Sequence, residues 1–267
     1  MVGSVMAEEL KPTQLRVLYD VLCDLKDEEQ TALAEWHARD PKLILHRIKK
    51  DLATVEGYDA VDEPFYGEGS PRTLPDPPTP LAEVVRTHHF ASHLAGEKLH
   101  AVAGGDELAF RYVDREIFPL RQTKEGGPRP PERKLDLLLV GQDGLPIVAE
   151  LKIREDRATY FAFIQSLMYA AELSSQSQRA RLAKFYEDAG FRWPGADPFG
   201  DIYIIAFEPP AATEESNRGR SFDATRRLAE SLVGRPQFAA LIRRVVYLEA
   251  SIGPGGFVFE PRFAFGS

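Results

Sequence analysis

The 267-residue chain has very little cysteine: Cys23 is the only one. A lone cysteine cannot form a disulfide within the chain, and it excludes a zinc site built from cysteines. This usage is typical of a reducing compartment, so we expect a cytoplasmic protein. The first ten residues show no basic segment followed by an apolar stretch, and the sequence therefore predicts no secretory signal.

The chain also lacks long hydrophobic runs and an excess of positive charge. No apolar run approaches the roughly 18–20 residues that cross a bilayer, so we expect no contact with a membrane. The net charge is −8, which argues against a protein that coats polyanions with its whole surface. The acidic excess is concentrated in residues 1–80, whereas residues 81–267 are close to neutral. A local basic groove on that nearly neutral part would still allow nucleic acid to bind.

Composition and periodicity divide the chain into three parts. Residues 1–60 are predicted to be a small helical N-terminal region, because Leu15, Leu18 and Leu22 recur at helical spacing. Residues 61–79 are rich in proline and indicate a linker or surface arm. Residues 80–267 are expected to form the main domain. We expect the N-terminal region to contribute little to a metal site, and a homodimer or another protein partner bound through its helices stays open.

From residue 80 onward the pattern predicts an α/β fold, in which a mixed central sheet is flanked by helices. The order is helix, three-stranded meander, helix, strand, helix and strand. The predicted segments are a helix over 80–95, strands within 108–120, 134–140 and 146–153, an interrupted helix over 157–187, a strand over 201–207, helices within 222–244 and a strand over 245–249.

Charged residues interrupt two of these apolar strands. Asp136 lies in the run 135–140, and Glu150 and Lys152 lie two residues apart in the next strand. Side chains alternate across a strand, so Glu150 and Lys152 share a face, and a short hairpin would bring Asp136 beside them. Carboxylates buried on a sheet are costly unless they are paired or bind a metal. Two hard oxygen ligands suit Mg²⁺ or Mn²⁺.

This arrangement resembles the PD-(D/E)xK nuclease superfamily, whose core is restriction-endonuclease-like. The likeness rests on Asp136, on Glu150-Leu151-Lys152 and on a following helix in which Gln165 and Tyr169 match the Q-x-x-x-Y element of some branches. It covers residues 80 to about 207. Leu135 stands where the superfamily's name has proline.

The resemblance implies a metal-dependent nuclease that hydrolyses phosphodiester bonds, with DNA as the partner. Asp136, Glu150 and the carbonyl of Leu151 would hold Mg²⁺ or Mn²⁺, and Lys152 would act on the attacking water. Gln165 and Tyr169 would contact the site or the DNA backbone. Families of this type often add an acidic residue from the helix before the sheet. Glu83 is the best placed, with Glu97 and Glu116 as alternatives.

Other interpretations of the same residues remain open. Glu150 and Lys152 could be a structural ion pair, and the fold could serve a non-cleaving nucleic-acid-binding or protein-interaction module. A zinc site is a further alternative, on His88, His89 and His93. A basic loop could hold a phosphate backbone; its members are Arg121, Lys124, Arg129, Arg133 and Lys134. The aromatic residues that begin the long helix are expected to be core rather than base-stacking groups: Tyr160, Phe161 and Phe163.

Overall fold

The structure is a computed structural model that describes residues 14–55, 74, 79–95, 98–103, 106–117, 119, 134–154, 159–195, 197–209 and 216–266. Eight α-helices, one 3₁₀ helix and seven strands are defined within these ranges. The α-helices are α1 (Leu15–Asp24), α2 (Asp27–Arg39), α3 (Lys42–Val55), α4 (Thr87–Leu94), α5 (Thr159–Leu173), α6 (Gln176–Asp188), α7 (Asn217–Val233) and α8 (Pro236–Ala239), and the 3₁₀ helix is Leu81–Glu83. The strands are β1 (Lys98–Ala103), β2 (Asp106–Ile117), β3 (Leu135–Gly141), β4 (Pro146–Ile153), β5 (Gly200–Phe207), β6 (Ile242–Gly253) and β7 (Gly256–Gly266).

All seven strands form one sheet in chain order, from β1 to β7. The pairs β1–β2, β2–β3, β3–β4 and β6–β7 are antiparallel, whereas β4–β5 and β5–β6 are parallel. The two edge strands, β1 and β7, approach each other, so the sheet is strongly curved. The predicted mixed α/β fold with a helix-flanked sheet is therefore confirmed.

The two faces of the sheet carry separate cores. Leu138, Val148 and Ile202 pack against α5 and the helices around it, on what we call the α5 face. The alternate residues of the same strands, such as Leu137 and Ala149, pack against α4 on the opposite face. Because β3, β4 and β5 are buried on both faces, their sequences are almost continuously apolar. A charged residue within them is an exception that needs a reason.

The helices α1, α2 and α3 share the core of the α5 face. Leu15, Leu18 and Ile48 are fully buried in the same cluster as the inner residues of α5. Helices α1 and α3 pack against α5, and α2 packs along α7. The N-terminal helices are thus a layer over α5 and α7, and α1 lies next to the helix that follows the charged strand β4.

The structure differs from the sequence-based prediction in three elements. The single helix predicted over 80–95 is a 3₁₀ turn followed by α4, with extended backbone at Val84 and Arg86 between them. Strands β1 and β7 were not predicted. Proline argues against a strand interior, and Pro261 lies inside β7, where it pairs with Leu248 beside an irregularity in the register at the sheet edge.

The linker predicted over 61–79 falls almost wholly outside the described residues. Among the helices that are described, none is long and apolar enough to cross a membrane.

Candidate functional site

The charged residues of β3 and β4 meet at the end of the sheet where β3 begins and β4 finishes. This row of strand ends is called the edge below, and it is distinct from the edge strands β1 and β7. Asp136 is the second residue of β3, and the antiparallel hairpin pairs Leu137 with Ala149. The start of β3 therefore lies beside the last residues of β4, where Glu150 and Lys152 are found. The ends of β2, β5 and β6 reach the same edge, because these strands run in the direction of β4.

Asp136 is held by two donors from different elements. Its Oδ2 accepts a hydrogen bond from the backbone N–H of Leu151 at 3.0 Å, and its Oδ1 lies 3.5 Å from the hydroxyl of Thr87, the first residue of α4. The carboxylate thus connects both strands of the hairpin with the start of a helix on the opposite face. These contacts fix its orientation.

Glu150 is the most unusual residue of this edge. Its side chain is 0 % exposed, and neither carboxylate oxygen has a hydrogen-bond partner among the described residues. Burial, followed by the nearby negative charge of Asp136, raises its pKa well above the usual range, while Lys152 acts in the opposite direction. A buried carboxylate without donors must keep its proton or meet a cation, because desolvating the bare charge is costly.

Lys152 lies on the same side of β4 as Glu150 and is partly buried. Its Nζ is 5.3 Å from the centre of the Phe161 ring in α5, within the range of a cation–π contact. The positive charge of Lys152 also acts to lower the pKa of Glu150, so the two groups interact electrostatically. Asp136, Glu150 and Lys152 are therefore brought together by the hairpin, at the side of the sheet that α5 covers.

Helix α5 adds two polar residues to this group. Gln165 and Tyr169 lie one turn apart, and the Gln165 amide lies 3.5 Å from the Tyr169 hydroxyl, which donates to the carbonyl of Lys134 at 2.9 Å. Burial and the charge of Glu150 raise the pKa of Tyr169, so the phenol is a neutral donor. The Oε1 atom of Gln165 is buried and, like Glu150, has no hydrogen-bond partner within the described ranges.

The three candidates for an additional acidic ligand are placed differently. Glu83 is exposed on the 3₁₀ turn, and no hydrogen bond or ion pair joins it to Asp136 or Glu150 within the described parts of the chain. That turn does lie near the end of β4, because Arg154 donates to the carbonyl of Ala82 at 2.8 Å. Glu116 pairs with Arg115. Glu97 falls outside the described residues.

The remaining sequence-based candidates do not converge. His93 lies 2.5 Å from the carbonyl of Thr79, whereas His88 packs edge-on against His89. In the described ranges, no group of three or more His, Cys, Asp or Glu residues is arranged to hold a metal ion. The predicted basic loop lies outside these ranges except for Lys134, which is exposed.

Strained backbone is concentrated at the same edge. Within the described ranges, three residues other than glycine have left-handed φ angles: Glu116 (49°), Arg154 (53°) and Glu208 (44°). They lie at the ends of β2, β4 and β5, and all three ends reach the edge that carries Asp136. Such conformations cost about 1–3 kcal/mol each and are found preferentially at functional sites. The strain therefore marks this edge independently of its charges.

Sequence reasoning missed two residues that lie beside the candidate site residues, Thr87 and Tyr19. No motif or spacing in the sequence relates Thr87 to Asp136 or Tyr19 to Phe161, because these partners lie far apart along the chain. Tyr160 and Phe163 are fully buried, as expected, but Phe161 is only partly buried and lies beside Lys152. Spacing along α5 could have shown this, since Phe161, Gln165 and Tyr169 recur every four residues on one side of the helix.

Comparison of the chain with models of protein families, with curated proteins and with solved structures finds no match.

Proposed function

We propose that the protein is a metal-dependent nuclease that hydrolyses phosphodiester bonds, with DNA as its substrate, on a restriction-endonuclease-like core. The observation that carries the proposal is the pair of unsatisfied oxygens on Glu150, buried beside Asp136 and Lys152. A divalent cation would satisfy them and remove the repulsion between the two carboxylates. The resemblance to PD-(D/E)xK nucleases, which rests on these same residues, supports the same chemistry.

The donors present suit Mg²⁺ or Mn²⁺ better than zinc. Asp136 and Glu150 offer carboxylate oxygens, and the resemblance adds the carbonyl of Leu151. Mg²⁺ commonly uses one or two carboxylates and completes its coordination with water and substrate phosphate. A third acidic side chain is therefore not required, and the absence of a three-residue cluster among the described residues is compatible with this ion.

The residues divide the hydrolysis between them. A bound Mg²⁺ would supply charge stabilisation at the phosphate and increase the acidity of a nearby water. Lys152 would hold that water and offset negative charge on the phosphoryl oxygens. The water gives up a proton to solvent as its oxygen forms a bond to phosphorus, the ester P–O bond breaks, and the leaving oxygen takes up a proton from solvent. Tyr169, through its bond to the Lys134 carbonyl, would keep the start of β3 in place while Gln165 orients a polar group of the substrate.

The decisive experiment is single-turnover cleavage of labelled DNA in Mg²⁺ by the wild type and by Lys152→Met. This change keeps the bulk of the side chain and removes its charge. We expect cleavage to fall roughly 10²- to 10⁴-fold, the usual effect of losing a general acid–base group, while Mn²⁺ still binds. Lys184→Met is the matched control, because Lys184 is exposed on α6.

Equal cleavage by wild type and Lys152→Met would mean that Lys152 is only a structural ion-pair partner. DNA binding without cleavage by the wild type would favour the non-cleaving module instead.

A further inference from the structure

An aromatic pair lies next to the candidate site and has no role in the chemistry described above. The ring of Phe161 in α5 is 5.0 Å from the ring of Tyr19 in α1, centre to centre, with an angle of 35° between the planes. Both residues sit at the border of the core, packed against it and only partly buried. Phe161 is also the ring beneath the Lys152 ammonium. The pair therefore extends from the reacting lysine toward the surface of α1.

The position of Tyr19 follows from the packing of α1 on α5. Phe161, Gln165 and Tyr169 share one side of α5, and the ring contact with Phe161 places Tyr19 along this side. The N-terminal helix thus forms a wall of the site, although its acidic surroundings gave no reason to expect this. A wall of two partly exposed rings beside a cationic group offers a stacking surface for a planar ligand.

We propose that Tyr19 and Phe161 form a base-stacking platform, so that the site takes an unpaired nucleotide, in single-stranded DNA or at a frayed end. This inference rests on the proposed nuclease function and specifies the substrate class. Every nucleobase has an apolar face that can stack on an aromatic side chain, and such contacts are tolerant of sequence. Paired bases inside a duplex already stack on their neighbours and do not present that face. A nucleotide stacked on these rings would have its phosphate near Lys152.

The first test uses the wild type and needs no variant. Single-stranded oligonucleotides carry 2-aminopurine at successive positions, or an abasic residue in its place, with Ca²⁺ replacing Mg²⁺ to observe binding. We expect quenching of the fluorophore at one position and binding about 5- to 100-fold weaker when that base is removed, the range for one base stacked on an aromatic residue. Equal affinity for the intact and the abasic strand would overturn the platform.

The second test assigns the effect to the two rings. Tyr19→Leu and Phe161→Leu should lose the quenching and bind the single strand about 5- to 100-fold more weakly, while Tyr19→Phe keeps both. Phe265→Leu is the matched control, because Phe265 is also partly buried and stacks on Phe263 at 5.3 Å, on β7. Thermal unfolding and Mn²⁺ binding show that the variants are folded. Unchanged quenching in both leucine variants would contradict the proposal.

The outcomes separate this inference from the proposed function. If the wild type cleaves DNA in a Lys152-dependent manner but treats single strands and duplexes alike, the nuclease stands and the platform is wrong. If the wild type neither cleaves nor binds DNA, both are wrong.

Discussion

Two buried carboxylates on neighbouring strands differ in whether their oxygens have hydrogen-bond donors. Asp201 on β5 is 1 % exposed and Glu150 on β4 is 0 % exposed. Asp201 pairs in register with Ile147, three residues from Glu150, toward the opposite end of the strands. Both of its oxygens accept hydrogen bonds from Arg243, from Nε at 2.9 Å and from Nη2 at 2.6 Å. Glu150 has no such partner among the described residues.

The difference distinguishes a carboxylate that is satisfied within the fold from one whose oxygens have no hydrogen-bond partner among the described residues. Arg243 also pairs with Asp143 in the β3–β4 turn, so it ties that hairpin to β5 and β6. Partial burial acts to raise the pKa of Asp143, but the bonds to Arg243 outweigh it and the pKa is lowered. The same pairings raise the pKa of Arg243. Burial raises the pKa of Asp201, and Arg243 counteracts that increase. At the other end, burial raises the pKa of Glu150 and Lys152 counteracts part of that increase, while neither carboxylate oxygen has a hydrogen-bond partner in the part of the chain that the structure describes. A protein that needed Glu150 only for packing would be as stable with an apolar residue there.

The largest expected effect on stability comes from removing the hydrogen-bond donors of Asp201. Arg243→Met leaves Asp201 buried without its cation, and we expect the free energy of unfolding to fall by about 3–5 kcal/mol. Urea unfolding monitored by circular dichroism measures this. Arg226→Met is the control, since Arg226 pairs with Asp223 and Glu230 only at the surface of α7, where such pairs are worth about 0–1 kcal/mol. Comparable losses in both variants would contradict the structural role of Arg243.

A third buried titratable group avoids its desolvation cost by staying neutral. His37 in α2 is fully buried, with its Nδ1 2.5 Å from the Tyr160 hydroxyl, and burial together with Arg47 lowers its pKa from 6.5 to about 3. Because the folded protein binds this proton less readily than the unfolded chain, stability is fully present above pH 6.5 and is lost as the pH falls. From pH 6.5 to 5, the wild type should lose about 1.5–2 kcal/mol more than His37→Gln. Denaturant unfolding at several pH values measures the difference; parallel pH profiles would show that His37 is not responsible.

A smaller effect tests whether the α5 residues belong to the site. Tyr169→Phe removes the hydrogen bond to the Lys134 carbonyl and should cost about 1 kcal/mol of stability. Tyr186→Phe is closely matched, because the Tyr186 hydroxyl donates to the Leu139 carbonyl at the same distance of 2.9 Å, in α6. We expect similar losses of stability from both changes, but slower DNA cleavage only from Tyr169→Phe. Cleavage that is slowed equally by both would assign the effect to stability alone.

The smallest expected effect on stability comes from replacing Glu150, whose oxygens have no hydrogen-bond partner among the described residues. Without metal, Glu150→Gln should change the free energy of unfolding by less than about 1 kcal/mol, because the raised pKa of Glu150 favours the protonated acid, which glutamine matches in size and charge. Asp201→Asn, the corresponding change at the other end, should cost about 2–3 kcal/mol by weakening two charged hydrogen bonds. Urea unfolding in EDTA compares the two. A loss at Glu150 as large as that at Asp201 would mean that Glu150 is structural.

The fold class and the central residues of the candidate site could be predicted from the sequence, but the residues packed around them could not. Asp136, Glu150 and Lys152 were identifiable because charge inside an apolar strand is costly and because side chains alternate along a strand. Thr87, Tyr19 and the partial exposure of Phe161 depend on how α4 and α1 pack, which local periodicity does not report. The pairing of Arg243 with Asp201, 42 residues away, is likewise a consequence of the parallel sheet. Strand β7 could not be predicted because Pro261 lies inside it, and proline argues against the interior of a strand.

The most direct test of the account is a calorimetric titration of Mn²⁺ into the wild type and into Glu150→Gln. If Glu150 is left without partners because it is a metal ligand, the wild type binds Mn²⁺ and the variant, though folded, binds it at least about 10-fold more weakly. Equal binding by both proteins, or no binding by the wild type, would contradict the central claim that this buried carboxylate is part of a metal-dependent site.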